Sequence, residues 1–444
     1  MADKVFKRKI YDRILQWKNE NMGRSALLIE GARRVGKSTI VEEFARNEYE
    51  SYILIDFNRA SKETMALFED LNDLDYIFLT LQATYRKSLV KRKSVIIFDE
   101  VQRCPLARQA IKYLVADGRY DYIETGSLIS IRKNVEDITI PSEEDRLSMY
   151  PMDFEEFLWA VGDTVTVALL RQYWEKKLPL GAAHRNIQRL MRLYMLIGGM
   201  PQAVNEYIET NDLAKVDRVK RMIVQLYRDD FNKIDISGRA AQMFMAIPGQ
   251  LNRNVQRYVP SAVVGSITEN AETELLNSLS ESKTVNVVYR CDDPNVGMEL
   301  NRDISRYKLF VGDTGLFVTM AFWDKEYTEN IIYQKMLSDK LSANLGYIYE
   351  NVVAQMLVAA GNKLFYYTWK KDLKHYYEVD FLLSRGNKIC PIEVKSSGYT
   401  SHVSLDEFCL KYPSRVGERC LVYTKDFSKD GTTLLVPDYM TMFL

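Results

Sequence analysis

The run Gly31-Ala32-Arg33-Arg34-Val35-Gly36-Lys37-Ser38-Thr39 comes one residue after the apolar stretch Ala26-Leu27-Leu28-Ile29. In that setting the pattern G-x-x-x-x-G-K-[ST] predicts strand, phosphate-binding loop and helix in succession. Backbone N–H groups of Gly31, Arg33, Arg34, Val35, Gly36 and Thr39 can then curl around an anion, with glycines where side chains would block its approach. Lys37 is expected to reach the β- and γ-phosphates of a nucleotide, and Ser38 to offer its hydroxyl to Mg²⁺. The helix expected from Thr39 to Arg46 would aim its N-terminal dipole at the same charge.

With 444 residues the chain exceeds one ordinary core, so two to four domains are expected. Hydrophobic residues at 47% and charged residues at 27% provide ample core material for a globular protein. Sixty basic and sixty acidic residues cancel, so any basic binding surface must be local. Cys104, Cys291, Cys390, Cys409 and Cys420 are scattered without C-x-x-C spacing, which favours a reducing compartment and no zinc site. Met1-Ala2-Asp3-Lys4 lacks the apolar core of a signal peptide, and no apolar run approaches the roughly 18 residues of a membrane span. A cytoplasmic protein with no membrane partner is expected.

Val5 to Asn21 reads as an amphipathic helix with Ile10, Ile14, Leu15 and Trp17 on its apolar stripe. Tyr52 to Phe57 reads as a short buried strand, and Ser61 to Val90 as helical. Ser94-Val95-Ile96-Ile97-Phe98-Asp99-Glu100 then places two carboxylates at the C-terminal end of an apolar strand, where open α/β sheets bind ligands. Asp99 can hold the Mg²⁺ water shell, while Glu100 can orient and deprotonate the water attacking a γ-phosphate. After a helix from Pro105 to Val115, a strand from Tyr120 ends in Thr125-Gly126-Ser127. Ser127 and Thr125 are candidates to sense the γ-phosphate, and a plain Gly-Ser turn is the alternative.

These segments, with Ile97-Phe98-Asp99-Glu100-Val101-Gln102 and Arg146-Leu147-x-x-Tyr150-Pro151-Met152-x-Phe154-x-Glu156-Phe157-Leu158, resemble prokaryotic AAA-type ATPases that carry a C-terminal domain of unknown function. The resemblance extends through Gly198-Gly199-Met200-Pro201 and Asp313-Thr314-Gly315-Leu316. It implies ATP and Mg²⁺ as ligands and a nucleotide-dependent homo-oligomer. Arg146 matches the arginine of the family's Gly-Arg signature, although Asp145 replaces the glycine. Arg146 is then either an arginine finger for a neighbouring subunit's nucleotide or a member of a structural ion pair.

From Asp153 to about Phe231 the apolar period is helical, which suggests a lid. Between Ile236 and Phe317 the order helix, helix, helix, strand, strand suits a winged helix. Such a module either reads DNA or connects proteins, and the acidic third helix, with Glu269, Glu272 and Glu274, favours the connector. Farther on, a helix from Gly346 to Ala360 precedes a strand at Lys363–Tyr367 and a hairpin formed by Tyr377–Leu383 and Lys388–Lys395. Asp380 and Glu393 lie on successive strands, and Glu393 and Lys395 share one face. Carboxylates and a lysine in that arrangement suit metal-assisted phosphodiester cleavage, with Glu350 as a further ligand. A cross-strand charge pattern is the alternative. Glu350, Asp380, Glu393 and Lys395 together resemble the PD-(D/E)xK nuclease core.

The expected architecture is therefore α/β: a P-loop AAA-type parallel sheet over 1–152, a helical lid over 153–235, a winged-helix-like segment over 236–322 and an α/β nuclease-like domain over 323–444. The expected function is Mg²⁺-dependent ATP hydrolysis, by Lys37, Glu100 and Arg146, controlling a nuclease-like domain that acts on nucleic acid through Glu393 and Lys395. The other expectation is an ATP-driven switch or scaffold whose nuclease-fold domain is catalytically silent.

Overall fold

A computed structural model describes residues 4–126, 142–253, 256–324, 331–338, 346–396 and 401–444. The chain divides into two compact units. Met1–Tyr150 with Glu281–Lys283 forms one, and Pro151–Ser280 with Thr284–Leu444 forms the other.

The first unit is a five-stranded sheet of β1 (Ala26–Glu30), β2 (Ser51–Asp56), β3 (Ser94–Asp99), β4 (Asp121–Gly126) and β5 (Glu144–Ser148), in the order β2-β3-β4-β1-β5. Every pairing is parallel. β1, β3 and β4 are buried throughout; β1 and β3 are nearly unbroken apolar runs, as strands covered on both faces are, whereas β4 also buries Asp121, Glu124 and Thr125. Helix α1 (Ile10–Asn21) buries Ile10, Ile14 and Trp17; α2 (Lys37–Glu48) buries Ile40, Val41, Phe44 and Ala45. The region from Ser61 to Val90 read as helical holds two helices, α3 (Lys62–Ala66) and α4 (Leu74–Tyr85). Ser61 and Asp73 each cap a new start, the kind of local bond that short polar side chains use to interrupt a helix. Helix α5 (Pro105–Asp117) completes this unit's described helices, with proline in its first turn.

The second unit begins with helices Phe154–Ala160, Thr166–Lys176, His184–Ile197, Pro201–Thr210 and Leu213–Ile234. A reciprocal capping box of Asp153 and Glu156 starts the first of these, which gives Met152-x-Phe154-x-Glu156 a structural purpose. The signature segments meet here. Met152 N–H donates to Gly199 O at 2.8 Å, and Gly199 N–H donates to Asp313 Oδ2 at 2.5 Å. A Cβ on Gly199 would lie 2.0 Å from Met152 O, and one on Gly315 2.4 Å from Ile197 O. Only glycine permits backbones this close. Buried Lys220 locks the crossing by donating to Leu196 O (2.6 Å) and Gly315 O (3.3 Å).

The remaining strands are β6 (Val285–Cys291), β7 (Arg302–Val311), β8 (Phe365–Lys370), β9 (Tyr376–Arg385), β10 (Lys388–Val394), β11 (Arg419–Tyr423), β12 (Ser428–Asp430) and β13 (Thr433–Pro437). They make one mixed sheet in the order β12-β13-β11-β10-β9-β8-β6-β7. Where three helices were expected before the two strands there are four, Arg239–Met245, Ile247–Asn252, Ser261–Val264 and Glu269–Glu281, with Pro248 starting the second, and the expected boundary at 322–323 falls inside this sheet, because β6 pairs in parallel with β8. The lid, middle and C-terminal segments thus share one unit. A lone pair of strands is marginal in water, and pairing the open edge of β6 with β8 supplies the missing support. Asn351 and Gln355, on the helix Gly346–Ala359, fasten it further through Val311 N (2.8 Å) and Thr314 N (2.8 Å).

Candidate functional site

The loop between β1 and α2 has the shape its sequence predicts. Gly36, at φ 97°, is the N-cap of α2, and Arg34 adopts φ 68°. A Cβ on Gly31 would lie 2.3 Å from Met149 O, so the first glycine answers to its own strand neighbours as well as to a ligand. The Lys37 ammonium is 6% exposed and donates to Gly31 O and Ala32 O, both at 2.9 Å. Burial pushes it down to about 8, with Glu100 and Asp99 pulling the other way. One tether is not legible as a motif: buried Arg8 donates to Val35 O (2.8 Å) and Tyr150 O (2.6 Å), pinning the loop from outside.

At the end of β3, Ser38 Oγ donates to Asp99 Oδ1 at 2.6 Å, and Thr125 Oγ1 donates to the same oxygen. Glu100 N–H donates to Thr125 Oγ1 at 3.2 Å. Thr125 therefore joins the two acidic residues. Ser127, the other candidate, lies outside the described residues. Glu100 takes φ 57°, a left-handed conformation that turns its side chain out of the strand, and Gln102 Nε2 holds Glu100 Oε2 at 2.6 Å. Hard oxygen donors, Ser38 Oγ and Asp99 Oδ1, converge beside an anion-binding loop, a donor set that fits Mg²⁺ accompanied by phosphate oxygens.

Arg146, on β5, pairs with Glu144 Oε1 at 2.8 Å. The Glu144 carboxylate, 1% exposed, is also bound by buried Arg108 at 3.0 Å. Beside them Glu124 is fully buried, and both its carboxyl oxygens lack a hydrogen-bond partner among the described residues. Burial, then Glu144, raises it well above the carboxylate range. The sequence flags neither Arg108 nor Glu124, because their neighbours come from other strands.

In the second unit, β9 and β10 form the expected hairpin, with Gly386 at φ 57° in its turn. The register of β9 against β8 shifts between Phe365 and Tyr367, and Asp380 lies in that irregularity. Its Oδ2 accepts from Val394 N–H at 2.7 Å. Lys395 Nζ pairs with Glu393 Oε1 at 2.6 Å, leaving Glu393 Oε2 buried with no partner among the described residues. Glu350 is pushed up to about 8 by burial against the pull of Lys308, with Asp380 adding to the rise. Burial also raises Glu393, while for Lys395 the nearby Glu393, Asp380 and Glu350 more than reverse the effect of burial. Lys308 of β7 is fully inside this group, paired with Glu378 at 2.5 Å and close enough to Glu350 and Asp380 to feel both. It comes from about 70 positions earlier in the chain, out of reach of any motif. His402 instead pairs with Asp406 (2.7 Å) and Asp430 (3.3 Å). Among the described residues, no three His, Cys, Asp or Glu side chains stand close enough to hold a metal ion unaided. The oxygen donors of this second site suit a divalent cation in kind, and Glu393 Oε2 is free to take one.

Residues 23–158 match the AAA domain family. Residues 188–327 and 345–437 match two domains of unknown function, DUF8612 and DUF4143. No curated protein matches as a relative. Among solved structures, a Walker-type ATPase of Pyrococcus abyssi is 18% identical, with a TM-score of 0.45, covering 72% of this chain and 97% of its own. The Aeropyrum pernix ORC1 protein in complex with DNA is 12% identical at a TM-score of 0.28, covering 74% of this chain and 95% of its own. The Thermotoga maritima RuvB Holliday junction branch migration motor is 13% identical at 0.29, covering 63% and 90%. No helix among the described residues is long and apolar enough to cross a membrane. The match over residues 23–158 agrees with the strand, phosphate-loop and helix order and the parallel sheet of the first unit.

Proposed function

We propose that this protein is a Mg²⁺-dependent AAA-type ATPase whose nucleotide state controls a C-terminal nuclease-like domain acting on nucleic acid. The observation that carries the ATPase reading is the meeting of Ser38 Oγ and Thr125 Oγ1 on one oxygen of Asp99, beside a loop whose lysine rests on its own carbonyls. Lys37 exchanges the carbonyls of Gly31 and Ala32 for the β- and γ-phosphates, which restore its full charge. Mg²⁺ held through Ser38 and Asp99 would neutralise charge on the phosphates. Glu100, oriented by Gln102, accepts the proton of the attacking water, and Thr125 keeps Asp99 and Glu100 in register. Arg146 serves a neighbouring subunit's nucleotide if it leaves Glu144, so mixing Arg146→Ala with Lys37→Ala subunits would restore turnover only if the arginine acts between subunits.

In the second unit, Asp380 and Glu393 are the proposed cation ligands, with water and phosphate oxygens completing the shell and Glu350 an outer-shell acceptor, and Lys395 is the group that steadies water at the scissile phosphate. The pairing of Lys395 with Glu393, and the charge of Lys308 acting on Glu350 and Asp380 while it pairs with Glu378, favour the other reading, a nuclease-fold domain that binds without cutting. Two assays decide. Phosphate release abolished by Lys37→Ala establishes the ATPase. Mn²⁺-dependent nucleic-acid cleavage lost in Glu393→Ala, with ATP hydrolysis intact, establishes the nuclease; no cleavage by the unaltered protein leaves the silent domain.

A further inference from the structure

We infer that the β8–β9 hairpin and the C-terminal end of the helix Val403–Lys411 form a binding surface for single-stranded nucleic acid. The inference rests on the nucleic-acid part of the reading above and not on cleavage. Along the sheet, Tyr367 and Trp369 stack at 5.4 Å, and Trp369 meets its cross-strand partner Tyr377 at 5.1 Å. Phe408 packs on Tyr367 and Trp369, and Tyr412 on Phe408, extending the aromatic row past the helix end. Trp369, Tyr377 and Tyr412 are each only half-buried.

Cations frame these rings. Lys411 Nζ lies 5.3–5.7 Å from the centroids of Tyr367, Trp369 and Tyr412, and Lys371 Nζ lies 5.4 Å from Tyr377. Lys370, Lys371, Lys374 and Lys411 are exposed and make no ion pair among the described residues. The one carboxylate in the tip, Asp372, is spent on Lys374 N–H, His375 N–H and His375 Nδ1. Leu373 at the tip is 99% exposed. A single strand presents both halves of the complement: unpaired bases that stack on rings, and a phosphate chain that pairs with lysines. A duplex hides its base faces and fits only the lysines. Helix Val403–Lys411 links this surface at its C-terminal end to His402 and Glu393 at the other, a run of about 13 Å over nine residues. A strand bound on the rings would therefore pass towards the acidic group.

The test uses the full chain and fluorescent oligothymidylate, read by anisotropy and tryptophan quenching. Trp369→Ala is expected to weaken binding about tenfold to a hundredfold, with Trp369→Phe retaining most of it and ATP hydrolysis unchanged. Because Trp369 also packs inward, the exposed pair Lys371→Ala and Lys411→Ala gives an independent measure. The slope of log affinity against log salt should fall by about 0.7 per lysine, about 1.4 for the double variant. Binding is measured in EDTA, where no metal-dependent cleavage can occur, so loss of cleavage and loss of binding are told apart. Equal affinity of Trp369→Ala and the unaltered protein, an unchanged salt slope in the lysine double variant, or equal competition by a polyglutamate peptide would overturn the inference.

Discussion

Two buried lysines, one in each unit, make nearly the same contacts. Lys37 donates to the carbonyls of Gly31 and Ala32, and Lys220 to those of Leu196 and Gly315. Burial pushes each down to about 8. What separates them is the company. Lys220 has buried Asp217 and Asp313 as counter-charges, both heavily bonded: Asp217 to Thr319, Tyr333 and Arg221, Asp313 to Gly199 and Leu316. Backbone crosses so closely there that a Cβ on Gly315 would lie 2.4 Å from Ile197 O. Lys37 has a left-handed glycine, a helix N-terminus and no anion touching it among the described residues. A buried ammonium on carbonyls is thus finished structure in one place and a held-back charge in the other.

The contrast predicts opposite phenotypes. The largest effect is expected from Lys37→Ala, which should cut ATP turnover by at least a hundredfold while leaving thermal stability unchanged or slightly raised. Lys220→Met should do the reverse, costing about 3 kcal/mol of stability by orphaning two buried carbonyls and removing a counter-charge from buried Asp217 and Asp313, with ATP affinity kept. A Lys220→Met protein that is stable but unable to bind nucleotide would break the comparison. Next, Glu100→Gln should lower turnover about a hundredfold or more and leave ATP binding intact, measured by phosphate release and calorimetry. Thr125→Val should cost less, about tenfold in turnover, since Ser38 still holds Asp99.

The smallest effect is in pH. Both lysines ionise lower in the fold than the usual lysine value, so between about 8 and 10.5 the unfolded chain binds more protons. The charged lysines therefore destabilise below pH 8, and stability should rise as pH climbs through that window. ATP raises the Lys37 value again, so nucleotide affinity should be flat below pH 8 and fall above it, with proton uptake on binding. Calorimetry in buffers of different ionisation enthalpy measures that uptake, and Lys37→Ala should abolish it while Lys220→Met leaves it.

Local chemistry was readable where contacts are local. The P-loop, the carboxylates closing β3 and the β9–β10 hairpin each occupy one short stretch, and their spacing carries their geometry. Thr125 was a candidate beside Ser127, but its bond to Asp99 depends on β4 lying next to β3, which no spacing reveals. Lys308 and the β6–β8 pairing escape for the same reason. A strand's alternation says which face is buried and nothing about which strand lies beside it. Gly199 and Gly315 stood out as motif residues, yet their purpose became visible only when Met152 and Ile197 were found against them.

The second unit also closes over a long stretch of chain. Gln188 is bonded to Asp438, 250 residues later, and His184 to Tyr439. At synthesis rates of about 5–20 residues per second, the ribosome needs about 12–50 s to deliver those partners. Throughout that interval the helix His184–Ile197 has been made but its mates have not, so its apolar stripe is open to whatever is nearby. The first unit has all its described strands in hand by Ser148, and only Glu281–Lys283 of it comes later. A newborn chain therefore carries a first sheet whose strands can already pair, attached to an unfinished second half, and binding by holding chaperones should concentrate on residues 184–311.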